Sequence, residues 1–272
     1  MKYVAAICDY GEGDLAWLEV KAALRRYLPK GSSVDRTGVH SFATLELGFV
    51  VQQLGLASPE QRPDNMIIFG NCAPRKDRGD ARHNNEGEGI VYGVLDSGVP
   101  LVVVNSGYSL SFVRDHLKEL WSVNVPRDGS QFRSRDIFPK AVGAVAVEDF
   151  SVLGERLDPD KVIPEVPYGV IAYVDSFGNL KTTYRQNDAV FKSLSPGQEM
   201  KIRIGRTPGT ATLATGSFNV PEGRLAFAPG SSGHNNRFME LFLRSNSAFR
   251  FFGEPPVETK VEILEIDGCS QS

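Results

Sequence analysis

Residues 3–28 read YVAAICDYGEGDLAWLEVKAALRRYL, and the fold turns on how this stretch divides. Tyr3 to Cys8 is a short β-prone run that ends at Asp9, and Gly11 and Gly13 make a turn. Beyond it Trp17, Val20, Leu24 and Leu28 recur at helical spacing, with Lys21, Arg25 and Arg26 largely off that face. The reading is strand, turn, amphipathic helix, with the basic residues on a solvated side.

The same alternation continues downstream. Leu47, Val50, Val51 and Leu54 suggest a second helix, and Met66 to Phe69 a strand that enters the polar loop NCAPRKDRGDARHNNEGEG at residues 71–89. Leu101 to Asn105 reads as a further strand, leading through Ser106 and Gly107 to a helix with Val113, Leu117 and Leu120 on its apolar face. Alternating β and α units predict an α/β domain over residues 1–157 with a mainly parallel, Rossmann-like sheet. Residues 158–168, with three prolines in DPDKVIPEVPYG, read as a linker. Short extended runs at Gly169–Val174, Met200–Ile204, Ala211–Ala214 and Lys260–Leu264, broken by Gly and Pro, predict a smaller all-β barrel or sandwich over residues 169–272.

Composition excludes several functions. A formal net charge of -3 with no long Lys/Arg stripe argues against nucleic acid as a partner. Cys8, Cys72 and Cys269 are too far apart for a CxxC metal site and odd in number, so reduced thiols in a cytoplasm are expected, with no metal. No apolar stretch reaches the roughly 20 residues of a spanning helix, and no membrane association is expected. The N-terminus lacks a cleavage-like site and reads as the first buried strand. Gly11, Gly13 and Ala16, with Asp35 downstream, formally match a dinucleotide fingerprint, but Asp9, Glu12 and Asp14 surround the helix N-terminus where a pyrophosphate must sit. Such a turn suits hydroxyls or a cation better.

Several separated segments, in order, resemble the S-adenosylmethionine hydroxide adenosyltransferase (S-adenosylmethionine hydrolase) family, which is related to the fluorinase and chlorinase halogenases. The family's TDFG and a following Asp are similar to Cys8-Asp9-Tyr10-Gly11 and Asp14, and its VDITH to Val34-Asp35-Arg36-Thr37. Its TFHGRDIF, or TFYSRE in halogenating members, resembles Gln131-Phe132-Arg133-Ser134-Arg135-Asp136-Ile137-Phe138. GxVxYIDxFGNxxTN resembles GVIAYVDSFGNLKTT at 169–183, and a last block resembles Gly230-Ser231-Ser232-Gly233 with Asn246-Ser247-Ala248.

The resemblance implies a homotrimer with sites at subunit interfaces, and S-adenosylmethionine as substrate rather than any resident cofactor. It implies displacement of methionine at the ribose 5' carbon by water or hydroxide to give adenosine. A catalytically impaired nucleoside-binding protein, or a relative using halide or another nucleoside, are the alternatives. Asp9 is expected at the ribose diol, since one carboxylate can accept from two adjacent hydroxyls, with helix or turn capping as the plain reading. The resemblance adds Asp14 to the ligand set and gives Asp175 the ammonium, Phe177 a ring face and Asn179 the adenine edge. Ser231 falls to the carboxylate, with Ser247 and Ala248 nearby. DSFGN is equally a β-turn, and the Ser231 segment an ordinary Gly/Ser loop.

The hydrolytic family uses Asp, Arg and His. Here Asn71, Arg78 and Arg133 stand at those places, and Ser134 matches the serine of the halogenating branch. Asparagine is no carboxylate base and arginine stays protonated, so this activation of water does not carry over intact, and Arg78 and Arg133 are expected to attract an anionic nucleophile instead. His83, in the polar loop, is a replacement imidazole to consider or a plain surface residue.

Overall fold

The computed structural model describes residues 1–73, 80–81, 84, 86–126, 128–192 and 194–266. The chain divides into two compact units, Met1–Glu165 and Val166–Ser272.

The first unit opens as its sequence suggests. β1 (Tyr3–Cys8) leads to α1 (Leu15–Tyr27), whose start is fixed by Asp14: its carboxylate accepts from Ala16 N at 2.9 Å as the N-cap. Val20 and Leu24 are fully buried, while Arg25 and Arg26 sit in the last turn, where positive charge suits the helix dipole. There follow β2 (Ser33–Gly38), α2 (Thr44–Gly55), β3 (Met66–Asn71), β4 (Ile90–Leu95), β5 (Pro100–Val104) and β6 (Leu117–Val123). α3 (Arg133–Asp136), α4 (Phe138–Ala146), β7 (Leu153–Arg156) and α5 (Pro159–Val162) complete it.

The sheet runs β2-β1-β3-β5-β4-β6-β7. Strands β2, β1, β3 and β5 are parallel, whereas β4, β6 and β7 join antiparallel, which corrects the expectation of a mainly parallel Rossmann-like sheet. The cause is a tight turn: Gly98 N donates to Leu95 O at 2.8 Å, and Leu95 N to Val99 O at 3.0 Å, so β4 returns at once as β5. A connection that short can join only antiparallel strands. A second correction concerns the helix expected around Val113, Leu117 and Leu120. Only a 3-10 turn forms, at Ser111–His116, and Leu117 and Leu120 belong to β6, paired with Leu95 and Gly93 of β4. Their spacing of three fits a helix, but the strand adds its backbone groups to an open ladder edge. α1 and α4 cover Val4, Ala6, Ile67, Phe69 and Val102 on one face of the sheet. α2, almost entirely buried, packs toward Ile68 and Leu95 on the other.

The second unit contains β8 (Ile171–Val174), β9 (Leu180–Arg185), α6 (Ala189–Lys192), β10 (Glu199–Ile204), β11 (Thr207–Leu213), β12 (Leu225–Pro229), β13 (Phe238–Leu243), α7 (Ala248–Phe251) and β14 (Val261–Ile266). The described strands of this unit form one seven-stranded mixed sheet, β14-β10-β11-β12-β13-β9-β8, and two short helices accompany it, so the unit is not all-β. Only β11 and β12 pair in parallel. Met200, Ile202 and Ile204 alternate inward along β10 against Phe227, Met239 and Leu241, which is the period-two pattern visible in the sequence. Among the described residues no helix is long and apolar enough to cross a membrane.

Candidate functional site

In the first unit β1 and β3 end side by side, and Asp9, just after β1, and Asn71, the last residue of β3, open onto one cavity. Asp9 N donates to Asn71 O at 3.3 Å and Val39 N to Cys8 O at 3.0 Å, so the two strand ends and the chain after β2 are tied together at the carboxyl edge of the parallel strands. That edge is where open α/β sheets bind ligands. Asp9 Oδ2 accepts from Phe42 N at 3.1 Å, and the Cys72 thiol donates to the same carboxylate. Burial first, and the Asp9 charge second, push that thiol far above its ordinary range, so Cys72 is a neutral donor.

The cavity measures about 510 Å³, and its walls include Asp9, Tyr10, Asn71, Phe132, Arg133 and Ser134. This is a volume suited to a nucleoside-sized ligand. The Tyr10 hydroxyl accepts from Asn71 Nδ2 at 2.9 Å and is hydrogen-bonded to Ser134 Oγ. Arg36 holds the turn below by donating to Tyr10 O at 2.6 Å and Gly11 O at 2.9 Å.

Arg133 is only 9% exposed and is used as a brace. Its terminal nitrogens donate to Glu88 O at 2.7 Å and Pro126 O at 3.1 Å, and the guanidinium lies 4.9 Å over the Phe138 ring. Gly87 makes this approach possible, because a Cβ there would lie 2.6 Å from the guanidinium. Asp14 does not share this cavity wall: it is exposed and caps α1. Arg78, His83 and Cys269 lie outside the described residues.

In the second unit the Asp175–Asn179 turn is closed by its own first residue. Asp175 Oδ1 accepts from Phe177 N and Asn179 N, both at 3.0 Å, and Oδ2 from Asn179 Nδ2 at 2.9 Å. The ammonium of Lys181 lies 3.8 Å from Asp175 and 2.8 Å from Glu240. The Glu240 carboxyl is 1% exposed and, through burial, is held above its ordinary value despite the lowering effect of Lys181. The cation beside Asp175 is thus the protein's own. Ser247 caps α7, accepting from Arg250 N at 3.1 Å, and Phe249 N donates to Gly178 O at 2.9 Å, which seats Ser247 and the buried Ala248 against the turn. Phe177 is 79% exposed, and Ser231 is exposed in the loop after β12.

Gly178 adopts φ +78° directly under the Ser247 side chain. Gly178→Ala is therefore expected to cost at least about 1–3 kcal/mol in backbone strain, before the clash with Ser247 is counted. Urea unfolding of the variant against wild type measures it, and equal midpoints would mean the turn relaxes without cost.

No family model and no curated protein sequence matches the chain. In fold it is similar to an uncharacterized conserved protein from Thermotoga maritima, with a TM-score of 0.73, 19% identity, and coverage of 96% of this chain and 100% of that one. It is also similar to a conserved hypothetical protein from Thermus thermophilus, at a TM-score of 0.65 and 17% identity, covering 97% of this chain and 100% of that one. At such identities the likeness is one of fold.

Of the residues singled out from sequence, Asp9, Asn71, Arg133 and Ser134 meet at one cavity. Asp175, Asn179, Ser247 and Ala248 meet at one turn in the second unit. Tyr10, Lys181 and Glu240 were missed as site residues. Tyr10 stands inside a matched block, and Glu240 carried a readable signal as the lone charge in the apolar run Phe238-Met239-Glu240-Leu241-Phe242.

Proposed function

We propose that the chain binds S-adenosylmethionine and catalyses displacement of methionine from its ribose 5' carbon by water or hydroxide, releasing adenosine. The observation that carries this reading is the meeting of Asp9, Asn71, Arg133 and Ser134, from three distant sequence blocks, around one cavity of nucleoside size. Asp9 lines that cavity, and a carboxylate offers about four lone-pair sites, so its oxygens can accept from a ribose diol while still serving Phe42 N. The leaving methionine is a neutral thioether and needs no acid. The remaining task is to orient the nucleophile in line with the departing sulfur and keep bulk water out. The homotrimer implied by the resemblance belongs to this reading.

A second reading, a nucleoside-binding protein without turnover, is favoured by Arg133, whose terminal nitrogens are directed at main-chain carbonyls. Incubation with S-adenosylmethionine followed by chromatography separates the readings. Adenosine and methionine support the reaction, a halonucleoside made in the presence of halide redirects it, and bound but unchanged ligand leaves only the binder. Asp9→Ala is expected to weaken both adenosine and S-adenosylmethionine by about 10- to 100-fold, the equivalent of one charged hydrogen bond at ~1.5–3 kcal/mol. Titration calorimetry reads this directly, and unchanged affinity for adenosine would remove Asp9 from the ribose.

A further inference from the structure

Asparagine at 71 and arginine at 133 stand where the family has a carboxylate and an imidazole, and neither can take the proton that attacking water must lose. The cavity offers another route. We propose that Tyr10 is a positioning residue that acts through Ser134, the two hydroxyls forming a relay that accepts this proton; the proposal rests on the adenosyl-displacement reading.

Three features place the relay. Asn71 Nδ2 donates to Tyr10 Oη at 2.9 Å, so the phenol oxygen has one fixed donor. Tyr10 and Ser134 share one hydrogen between their oxygens, which leaves the second hydroxyl hydrogen of the pair to point elsewhere. The ring stands edge-on to Phe132 at 6.2 Å, and Arg36 fixes the backbone beneath it by donating to the Tyr10 carbonyl. All three polar side chains line the same cavity, and Ser134 is buried.

The water oxygen forms a bond to the 5' carbon while the carbon–sulfur bond breaks, its electron pair remaining on methionine sulfur. One water hydrogen passes to Ser134 Oγ, the Ser134 hydrogen passes to Tyr10 Oη, and the Tyr10 hydrogen leaves to solvent in the cavity. Adenosine, methionine and one proton result, and both hydroxyls are regenerated.

Tyr10→Phe keeps the ring and deletes only the relay oxygen. With the full chain and S-adenosylmethionine, kcat for adenosine formation is expected to fall about 100-fold, within the usual span of proton-transfer catalysis. KM should stay within about threefold, since ground-state binding is untouched. Ser134→Ala should lose as much, the double variant no more than either alone, and Ser134→Thr, which keeps the hydroxyl, should retain kcat within about tenfold. Adenosine affinity by calorimetry checks that each variant keeps its cavity. Wild-type kcat in Tyr10→Phe, or losses that multiply in the double variant, would overturn the relay while leaving the reaction standing. A wild-type chain that binds S-adenosylmethionine and yields no adenosine would remove the reaction and the relay together.

Discussion

Arg133→Ala is expected to destabilise the first unit by about 3–5 kcal/mol, the range for stripping one partner from a buried charged network. The guanidinium joins Glu88 O to Pro126 O, residues far apart in sequence, and both carbonyls would lose that donor. The face of Phe138 also loses its cation. For a unit of this size the melting point should drop by about 10 °C, taking ~2–4 °C per kcal/mol. Both tryptophans of the chain, Trp17 and Trp121, lie in the first unit, so intrinsic fluorescence reports its unfolding. Arg133→Lys should recover only part of the loss, because an ammonium is a point donor and cannot span two carbonyls as a planar fork does. A fall under about 2 °C for Arg133→Ala would show that water replaces the guanidinium at little cost. The same geometry bears on chemistry. Arg133→His, which restores the family's imidazole, removes the brace as well, so any gain in hydrolysis from Asn71→Asp with Arg133→His must be read at matched folding.

That bracing role was not legible in the sequence, and the reason is general. The block around Phe132-Arg133-Ser134 marked a functional position, but a guanidinium's partners are chosen by tertiary contact, and Glu88 stands 45 positions away. Tyr10 failed for the same reason: its hydroxyl matters through Ser134, 124 positions distant. What local physics controls was readable. The spacing of Val20 and Leu24 marks α1 and the extended run Met200–Ile204 marks β10, whereas Asp14, the cap, reads in the sequence as a ligand residue. Strand direction is not local information. Leu101 to Val104 reads the same whether its neighbour is parallel or antiparallel, and only the turn at Leu95–Val99 decides that β4 pairs with it head to tail. Leu117 and Leu120 were misread because a spacing of three satisfies a helical template, whereas the open edge of β4 supplied the stronger demand for backbone partners.

Lys181→Met is expected to be equally costly in the second unit, and with a pH dependence that identifies the cause. Lys181 lies 2.8 Å from the Glu240 carboxylate and 3.8 Å from Asp175, and removing it leaves Glu240 charged in a nearly dry position. The loss at pH 8 should be about 3–5 kcal/mol, as for other buried pairs broken from one side. Burial already holds the Glu240 carboxyl above its ordinary value, with Asp175 adding to the rise and Lys181 opposing it. A carboxyl raised in the folded state contributes stability that is fully present below its unfolded value and is lost as the pH climbs through the folded one. Without Lys181 the folded value rises further, so the variant's deficit against wild type should be largest at neutral and alkaline pH and shrink toward the acid side. Glu240→Gln in the Lys181→Met background removes the stranded charge and should recover about half of the loss at pH 8. Urea unfolding followed by circular dichroism across pH 5–8 supplies the comparison. A deficit independent of pH, or one that the second exchange deepens, would mean that Lys181 acts through the packing of its methylene stem rather than through its charge.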